Sequence, residues 1–196
     1  VTIKDLVNYR NKLNSKKIEM TSEIDFPNKF GSFKLRMYES KESGEHHIAL
    51  VKGNISKDIP TLVRIHSECF TGDIFGSMRC DCGQQLENSM KQIEESGSGV
   101  ILYMRQEGRG IGLPNKIKAY SLQDTGLDTV DANRALGFAD DLRSYDMAIS
   151  MLEDIGVSKV ELLTNNPLKF SSLSEANFEI VNRHPIETIA NEVNIN

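Results

Sequence analysis

Residues 64–73 read RIHSECFTGD, residues 75–87 read FGSMRCDCGQQLE, and residues 105–116 read RQEGRGIGLPNK. The first two segments hold all three cysteines of the chain, Cys69, Cys80 and Cys82, in the pattern C-x10-C-x-C. An odd number of cysteines cannot pair completely, and thiols separated by one residue are poorly placed to bond to each other. Clustered thiols in a reducing compartment more often bind a metal. The spacing therefore predicts a metal site.

Zinc accepts thiolate ligands readily, but the spacing leaves its fourth ligand undetermined. His66, three residues before Cys69, would complete a closed Cys3His set of the structural kind. Alternatively, the fourth position is open to water, as in catalytic zinc sites. The spacing alone does not choose between these two arrangements.

Outward from this stretch, the patterns predict an α/β fold: a layered, mixed β-sheet flanked by helices, with a β-rich N-terminal third. Alternating apolar residues are typical of half-buried strands, and the apolar run Val100–Met104 is typical of a buried one. Pro27 and Gly31 are expected to interrupt the first strands. Later strands alternate with helices, which indicates parallel pairing. Strands are predicted at 16–25, 32–38, 47–52, 61–66, 100–104, 160–163 and 178–181.

Helices are predicted where apolar residues recur at helical spacing between capping residues. The first of these after the cysteines is expected to end at Gly97 or Gly99. Thr129 is the expected N-cap of a short helix, and Asn177 is expected in the left-handed conformation after the last helix. Helices are predicted at 1–13, 86–97, 115–123, 130–136, 148–155 and 167–176. We expect residues 1–15 to form a linker or helix and residues 16–196 to form a single domain.

The composition narrows the class of protein. The chain has 196 residues and a formal charge of −5. General nucleic-acid-binding proteins normally carry a basic stripe, so the net acidity argues against that class. No apolar run approaches the ~20 residues of a membrane-spanning helix, and no signal peptide is recognisable, so a cytoplasmic protein without membrane attachment is expected. The chain begins with Val1, as expected for a piece excised from a longer protein.

Two further segments suit an anionic ligand, and a third carries a charged pair. The glycine-rich loop RQEGRGIGLPNK supplies backbone amides, two arginines and Lys116 before a helix, a combination that suits phosphate, although an ordinary turn remains an alternative. Asp141 and Arg143 form an acidic and basic pair, and Thr164 with Lys169 stands where a strand ends and a helix begins. Each of the last two, taken alone, also fits a solvated loop.

Taken together, these segments resemble GTP cyclohydrolase II, the family that opens riboflavin biosynthesis. The resemblance covers residues 16–185 and lies in the blocks RIHSECFTGD, RCDCGQQLE, RQEGRGIGLPNKIKAYSLQD, DTVDANRALGFADD and LLTNNPLK. The first dozen residues are similar to the connector found where this enzyme is fused behind 3,4-dihydroxy-2-butanone 4-phosphate synthase. A fused synthase domain upstream of Val1 is therefore expected.

The resemblance implies hydrolysis of GTP to formate, pyrophosphate and 2,5-diamino-6-(5-phosphoribosylamino)pyrimidin-4(3H)-one by a homodimer that uses zinc and magnesium. By motif, it implies Cys69, Cys80 and Cys82 as zinc ligands and Tyr120, Asp141 and Arg143 as the catalytic set. The implied substrate-binding residues are Arg64, Ile65, His66, Ser67, Glu68, Gln85, Glu107, Gly108, Arg109, Thr129, Thr164 and Lys169.

Several points of mechanism stay open at the level of sequence. Glu107 and Glu68 are alternative partners for the guanine base. Arg143 is either a nucleophile on the α-phosphate, with Asp141 as its base, or a phosphate clamp that Asp141 orients; the high pKa of arginine favours the clamp. Two rivals to the enzyme are a zinc-stabilised module that binds GTP without turnover and a purely structural zinc fold.

Overall fold

The computed structural model describes residues 2–3, 17–188 and 191–193. The helix predicted over 1–13 therefore lies almost entirely outside the described residues. Within the described residues, seven strands form one mixed sheet in the order β1-β2-β3-β5-β4-β6-β7. The strands are β1 (Ile18–Asn28), β2 (Gly31–Ser40), β3 (His46–Lys52), β4 (Thr61–Ser67), β5 (Gly99–Met104), β6 (Lys159–Leu163) and β7 (Glu179–His184). The predicted mixed α/β sheet with a strand-rich N-terminal part is confirmed.

Helices connect the strands of the second half. They are α1 (Phe70–Asp73), α2 (Cys82–Ser96), α3 (Leu113–Gln123), α4 (Thr129–Ala135), α5 (Asp146–Ile155) and α6 (Pro167–Glu175), with a short 3-10 turn at Glu107–Gly110. None of the described helices is long and apolar enough to cross a bilayer. As predicted, Asn177 (φ 66°) is left-handed and α2 ends at Gly97 (φ 76°); Gly156 (φ 92°) adopts the same conformation after α5.

The strand pairing changes from antiparallel to parallel at β5. Strands β1, β2, β3 and β5 pair antiparallel, whereas β5, β4, β6 and β7 pair parallel. Helices cover both faces of the parallel half, and β5 is buried along almost its whole length. On one face, Ala148, Met151 and Leu152 of α5 join the main core. On the other face, Ile93 of α2 packs with Ile101, Leu50 and Phe33.

Two local predictions are wrong. Pro27 does not interrupt the first strand: β1 continues through it to Asn28, since β1 is an edge strand and the missing N–H of proline faces no partner there. The side chain of Asn28 accepts hydrogen bonds from the backbone of Phe30 and Gly31 at 2.8 and 3.2 Å and so shapes the hairpin turn. Asp128, not Thr129, caps α4, because its Oδ1 accepts from the backbone of Val130 at 2.7 Å.

Candidate active site

The site lies where β4 and β5 end side by side. Ser67 pairs with Met104 in the parallel register, and the backbone N–H of Glu68 donates to the carbonyl of Met104 at 2.8 Å. The cysteine segment follows the end of β4, and the glycine-rich loop follows the end of β5. Carboxyl ends of adjacent parallel strands border ligand crevices in such sheets. The fold therefore brings two motifs from distant parts of the sequence to one edge.

The three cysteines converge at this edge. Their sulfur atoms all lie within 4.8 Å of one another, and Cys69 Sγ is 3.5 Å from Cys80 Sγ. Thiolates bound to one zinc ion at ~2.3 Å lie roughly 4 Å apart, so the donor set fits zinc. A Cβ atom at Gly72 would stand only 2.9 Å from Cys80 Sγ and 3.0 Å from Cys69 Sγ. Gly72, which has no side chain, therefore leaves room for the sulfur cluster.

His66 takes no part in the sulfur cluster. Its ring is buried, and Nε2 lies 3.0 and 3.1 Å from the two carboxylate oxygens of Asp73. Burial lowers the pKa of His66 despite this carboxylate. Of the two arrangements that the spacing left open, the closed Cys3His set is thus not formed in the structure.

Asp73 is a site residue that sequence reasoning missed. Besides His66, its carboxylate accepts from Tyr103 Oη at 2.8 Å and from the backbone N–H of Cys69 at 2.9 Å. It therefore fixes the backbone that carries the first thiolate. Asp73 belongs to the RIHSECFTGD block, but its partner Tyr103 lies on β5. No local sequence pattern predicts that contact.

Glu107 and Lys116 lie beside the sulfur atoms. Glu107 Oε1 accepts from Lys116 Nζ at 2.7 Å, and Oε2 accepts from the backbone N–H of Phe70 at 2.6 Å. Lys116 Nζ also lies 3.0 Å from Cys69 Sγ. Burial alone would lower the pKa of Lys116, but the hydrogen bonds to Cys69 and Glu107 outweigh it and raise that pKa. The sequence reasoning assigned Lys116 to phosphate, whereas the structure directs its ammonium group to sulfur and carboxylate.

The glycine-rich loop folds back tightly. Gly108 and Arg109 adopt left-handed backbone angles (φ 62° and 60°), and a Cβ atom at Gly108 would stand 3.0 Å from Cβ of Lys116. Glycine is therefore needed at position 108 for the loop to close on α3. Arg109 reaches the carbonyl of Asp140 at 3.4 Å, so the loop also contacts the segment that carries Arg143.

A cavity of about 300 Å³ opens beside the cysteines. It brings together eleven of the residues that the sequence singled out as metal-binding, substrate-binding or catalytic. Those eleven are Cys69, Cys80, Cys82, Ser67, Glu68, Glu107, Gly108, Arg109, Tyr120, Thr129 and Arg143. A second cavity of about 640 Å³ shares Glu68, Glu107 and Arg143 with the first. The two cavities therefore adjoin along the glycine-rich loop.

The remaining predicted residues do not line the 300 Å³ cavity. They are Arg64, Ile65, His66, Gln85, Asp141, Thr164 and Lys169, and all but Gln85 and Asp141 are buried.

Two buried cations stand behind the cysteines. Arg64 donates to Gln85 Oε1 at 2.6 Å and to the carbonyl of Leu163 at 3.1 Å, and Lys169 donates to the carbonyl of Ile65 at 2.7 Å. Burial lowers the pKa of Arg64 to about 10. Burial and the nearby charge of Arg64 lower that of Lys169 well below its usual range. Both side chains donate to neutral acceptors.

Arg143, in the loop before α5, and Tyr120, on α3, both line the cavity. Arg143 is held by Asp141 two residues earlier, which also accepts from the backbone N–H of Arg143 at 3.0 Å. Tyr120 packs under the guanidinium of Arg79, 5.1 Å from its ring centre. Burial raises the pKa of the Tyr120 hydroxyl, which keeps it protonated at neutral pH.

At this edge of the sheet, the α/β fold brings a cluster of three cysteines that could hold a metal ion next to a cavity lined by arginines. The chain belongs to the GTP cyclohydrolase II family of enzymes, whose family model matches residues 19–185. Riboflavin biosynthesis protein RibBA of Chlorobium phaeovibrioides is 50% identical over 194 residues, which are 99% of this chain and 47% of that protein. RibBA of Bacillus cytotoxicus is 52% identical over 187 residues, 95% of this chain and 47% of that protein. The chain thus spans about half the length of the curated relatives it matches.

A solved structure shares the fold. It is RibBX, described as a two-domain 3,4-dihydroxy-2-butanone 4-phosphate synthase from A. baumannii, with a TM-score of 0.52 and 23% identity. The match covers 94% of this chain and 44% of that one. At this identity the likeness concerns the fold alone.

Proposed function

We propose that this chain hydrolyses GTP, opening the imidazole ring at C8 to release formate and pyrophosphate and to give 2,5-diamino-6-(5-phosphoribosylamino)pyrimidin-4(3H)-one. This is the first step of riboflavin biosynthesis, and the relatives' name, riboflavin biosynthesis protein RibBA, agrees with it. One observation carries the proposal: three clustered thiols and a charged arginine line the same cavity, in a chain of the GTP cyclohydrolase II family. Ring opening at C8 would need the metal that the thiols bind, and release of pyrophosphate would need a cation such as the arginine.

Zinc is the proposed metal at Cys69, Cys80 and Cys82, with one position left for a non-protein ligand. A bound zinc ion would supply Lewis acidity and activate water for attack on C8. Magnesium is proposed to enter with the outer phosphates of GTP, since it favours phosphate oxygens and water. Asp73 would hold the backbone of the first cysteine in position for the zinc ion.

Glu68 is the proposed partner of the guanine N1–H and amino group. Both oxygens of Glu107 already accept hydrogen bonds, from Lys116 and the Phe70 backbone. Glu68 is half-buried, and its carboxylate lies 3.7 Å from Nε of Arg105. Burial raises the pKa of Glu68, so a hydrogen-bond donor from the base would stabilise its carboxylate. Glu107 would then act indirectly, by holding Lys116 and the glycine-rich loop in place.

Arg143 is proposed as the clamp of the α-phosphate, with Arg64 and Lys169 adding positive potential behind it and Thr164 adding a hydroxyl group. Anionic phosphate would offset the mutual repulsion of these cations. Tyr120 is proposed as the proton donor near C8, because its raised pKa makes it an acid rather than a base. Thr129 and the Gly108–Arg109 backbone complete the proposed substrate contacts.

The organisation of the whole protein is also a proposal. Residues 16–196 would form one GTP cyclohydrolase II domain after a linker at 1–15, and two copies would form a homodimer in the cytoplasm. A synthase domain fused before it is supported by the twofold length of the relatives and by the description of RibBX.

The test is incubation with GTP, zinc and magnesium, followed by measurement of formate and pyrophosphate and identification of the organic product by mass. Formate in equal amount to the pyrimidine product is expected. GTP binding without formate would favour the zinc-stabilised binding module. Zinc binding without any nucleotide-dependent thermal shift would favour a purely structural zinc fold.

A further inference from the structure

Lys116 occupies an unusual position between the sulfur cluster and the glycine-rich loop. Its side chain is buried, and Nζ donates to Cys69 Sγ at 3.0 Å, to Thr71 Oγ1 at 3.1 Å and to Glu107 Oε1 at 2.7 Å. An ammonium group has three protons, so these three acceptors use its whole donor capacity. Lys116 is therefore committed to the protein and has no proton left for a phosphate.

We propose that Lys116 is a positioning residue of the zinc centre, which holds the Cys69 thiolate and couples the metal to the glycine-rich loop through Glu107. This inference rests on the zinc binding proposed above and names a residue outside the proposed ligand and substrate sets. Partners that hydrogen-bond to metal ligands typically contribute ~10–100-fold to metal affinity. Lys116 is such a partner by contact with a sulfur atom.

Charge explains why a cation is needed at this position. Three thiolates and one zinc ion carry a net charge of −1, and Glu107 adds a further negative charge next to them. Cys69 Sγ and Glu107 Oε1 are both bonded to the same nitrogen of Lys116. Without that nitrogen, two anionic groups would face each other in a largely buried place, which is costly. The ammonium group stabilises both.

The backbone is built to bring Lys116 there. Pro114 and the N-terminal turn of α3 fix the start of the helix, and Gly108 leaves room for the stem of Lys116, which a Cβ atom would contact at 3.0 Å. Glu107 also receives the backbone N–H of Phe70, the residue that follows Cys69. These hydrogen bonds therefore connect the proposed ligand Cys69, helix α1 and the glycine-rich loop.

The experiment compares the zinc affinity of the parent with that of Lys116→Met and Lys116→Gln, by competition with a chromophoric chelator. The thiolate-to-metal charge-transfer band of the cobalt-substituted proteins is recorded in parallel. We expect the zinc Kd to rise ~10–100-fold in Lys116→Met, with a shifted cobalt band. Lys116→Gln, which keeps a neutral donor, should lie between. Lys118→Met, two residues along the same helix and exposed, should match the parent.

Thermal unfolding with and without zinc separates positioning from general stability. Lys116→Met should lose part of the zinc-induced rise in Tm, whereas a merely structural role would lower both Tm values equally and leave the zinc Kd unchanged. If Lys116→Met does not fold, the zinc Kd and the cobalt spectrum of Lys116→Gln test the proposal instead. Unchanged zinc Kd and cobalt spectrum in the folded variants overturn the role of Lys116 alone. A parent that binds no zinc overturns the proposed metal site, and this inference with it.

Discussion

Arg143 and Asp141 form a bidentate ion pair, with Arg143 Nε 2.9 Å from Asp141 Oδ1 and Nη2 2.5 Å from Oδ2. Burial opposes the charge of the guanidinium, but Asp141 outweighs it and raises the pKa of Arg143. Burial likewise opposes the charge of Asp141, whose pKa the contacts to Arg143 nevertheless lower. Both groups are therefore charged at neutral pH. A charged guanidinium has no lone pair for attack on phosphorus, which favours the clamp over the nucleophile.

The first prediction tests the clamp directly. Parent protein quenched during turnover of GTP should show no guanylyl adduct by intact-mass spectrometry, because a clamp forms no covalent bond. Arg143→Lys should keep part of the pyrophosphate release, since one charge remains but the bidentate geometry is lost. An adduct mapped to Arg143 would contradict the clamp and restore the nucleophile.

The second prediction concerns the metal. The zinc-loaded protein should hold one zinc ion per chain, with three sulfur neighbours and one lighter, non-protein neighbour in X-ray absorption. His66 Nε2 contacts Asp73, and the ring lies outside the sulfur cluster. A spectrum with four protein ligands, including a histidine nitrogen, would contradict the open site.

The sequence predicts most elements of this fold because their signals are local. Apolar periodicity fixes the helix that carries Ile93, and left-handed residues such as Gly156 and Asn177 mark helix ends. Pro27 misleads because its effect depends on whether β1 lies at an edge, and strand order is not a local property. Edge position is set by the pairing of the whole sheet.

The candidate site likewise contains some residues that the sequence predicts and others that it does not. The three cysteines stand out by spacing, and the arginines by the blocks that contain them. Asp73 and Lys116 escape notice as partners of the metal site, since an Asp or Lys near a glycine is common in any chain. Their roles depend on contacts with Tyr103 and Cys69 across 30 and 47 residues of sequence. Only the folded arrangement of β4 and β5 brings those partners together.

The third prediction concerns base recognition. Glu68→Gln should reduce the preference for GTP over ATP by ~10–100-fold, since a lost carboxylate leaves the base donors poorly paired. Glu107→Gln should instead weaken zinc binding, since it disturbs Lys116. Competition binding with both nucleotides, at fixed zinc, distinguishes the two variants. An unchanged GTP-to-ATP ratio in Glu68→Gln would show that Glu68 does not contact the base.

The fourth prediction concerns acid stability and His47. This buried ring accepts from the backbone N–H of Arg105 at 3.2 Å through Nδ1. Burial lowers its pKa below 6.5, with Arg105 and His46 adding to the effect and Glu45 opposing it. The unfolded chain therefore takes up a proton first as the pH falls through 6.5, and the free energy of unfolding decreases.

We expect the urea midpoint of the zinc-loaded parent to fall between pH 7.5 and 6, and to fall less in His47→Asn, which keeps an acceptor but does not titrate. His46→Asn, at an exposed position, should leave most of the decrease in place, because burial is the main cause of the lowered pKa of His47. An equal decrease in the parent and in His47→Asn would assign the pH dependence to other groups.

The last prediction separates the two chemistries within one cavity. Cys82 and Arg143 both line it, but the first belongs to the proposed metal site and the second to the proposed phosphate clamp. Cys82→Ser should abolish formate release and leave some cleavage of GTP to GMP and pyrophosphate, because the clamp and magnesium are intact. Arg143→Ala should lower pyrophosphate release by ~100-fold, as loss of a charge-stabilising donor typically does, while zinc stays bound. Formate, pyrophosphate and metal content are measured for both folded variants with magnesium in excess. Equal loss of formate and pyrophosphate in Cys82→Ser would mean that phosphate cleavage depends on the zinc ion, and that the metal and the clamp act as one unit.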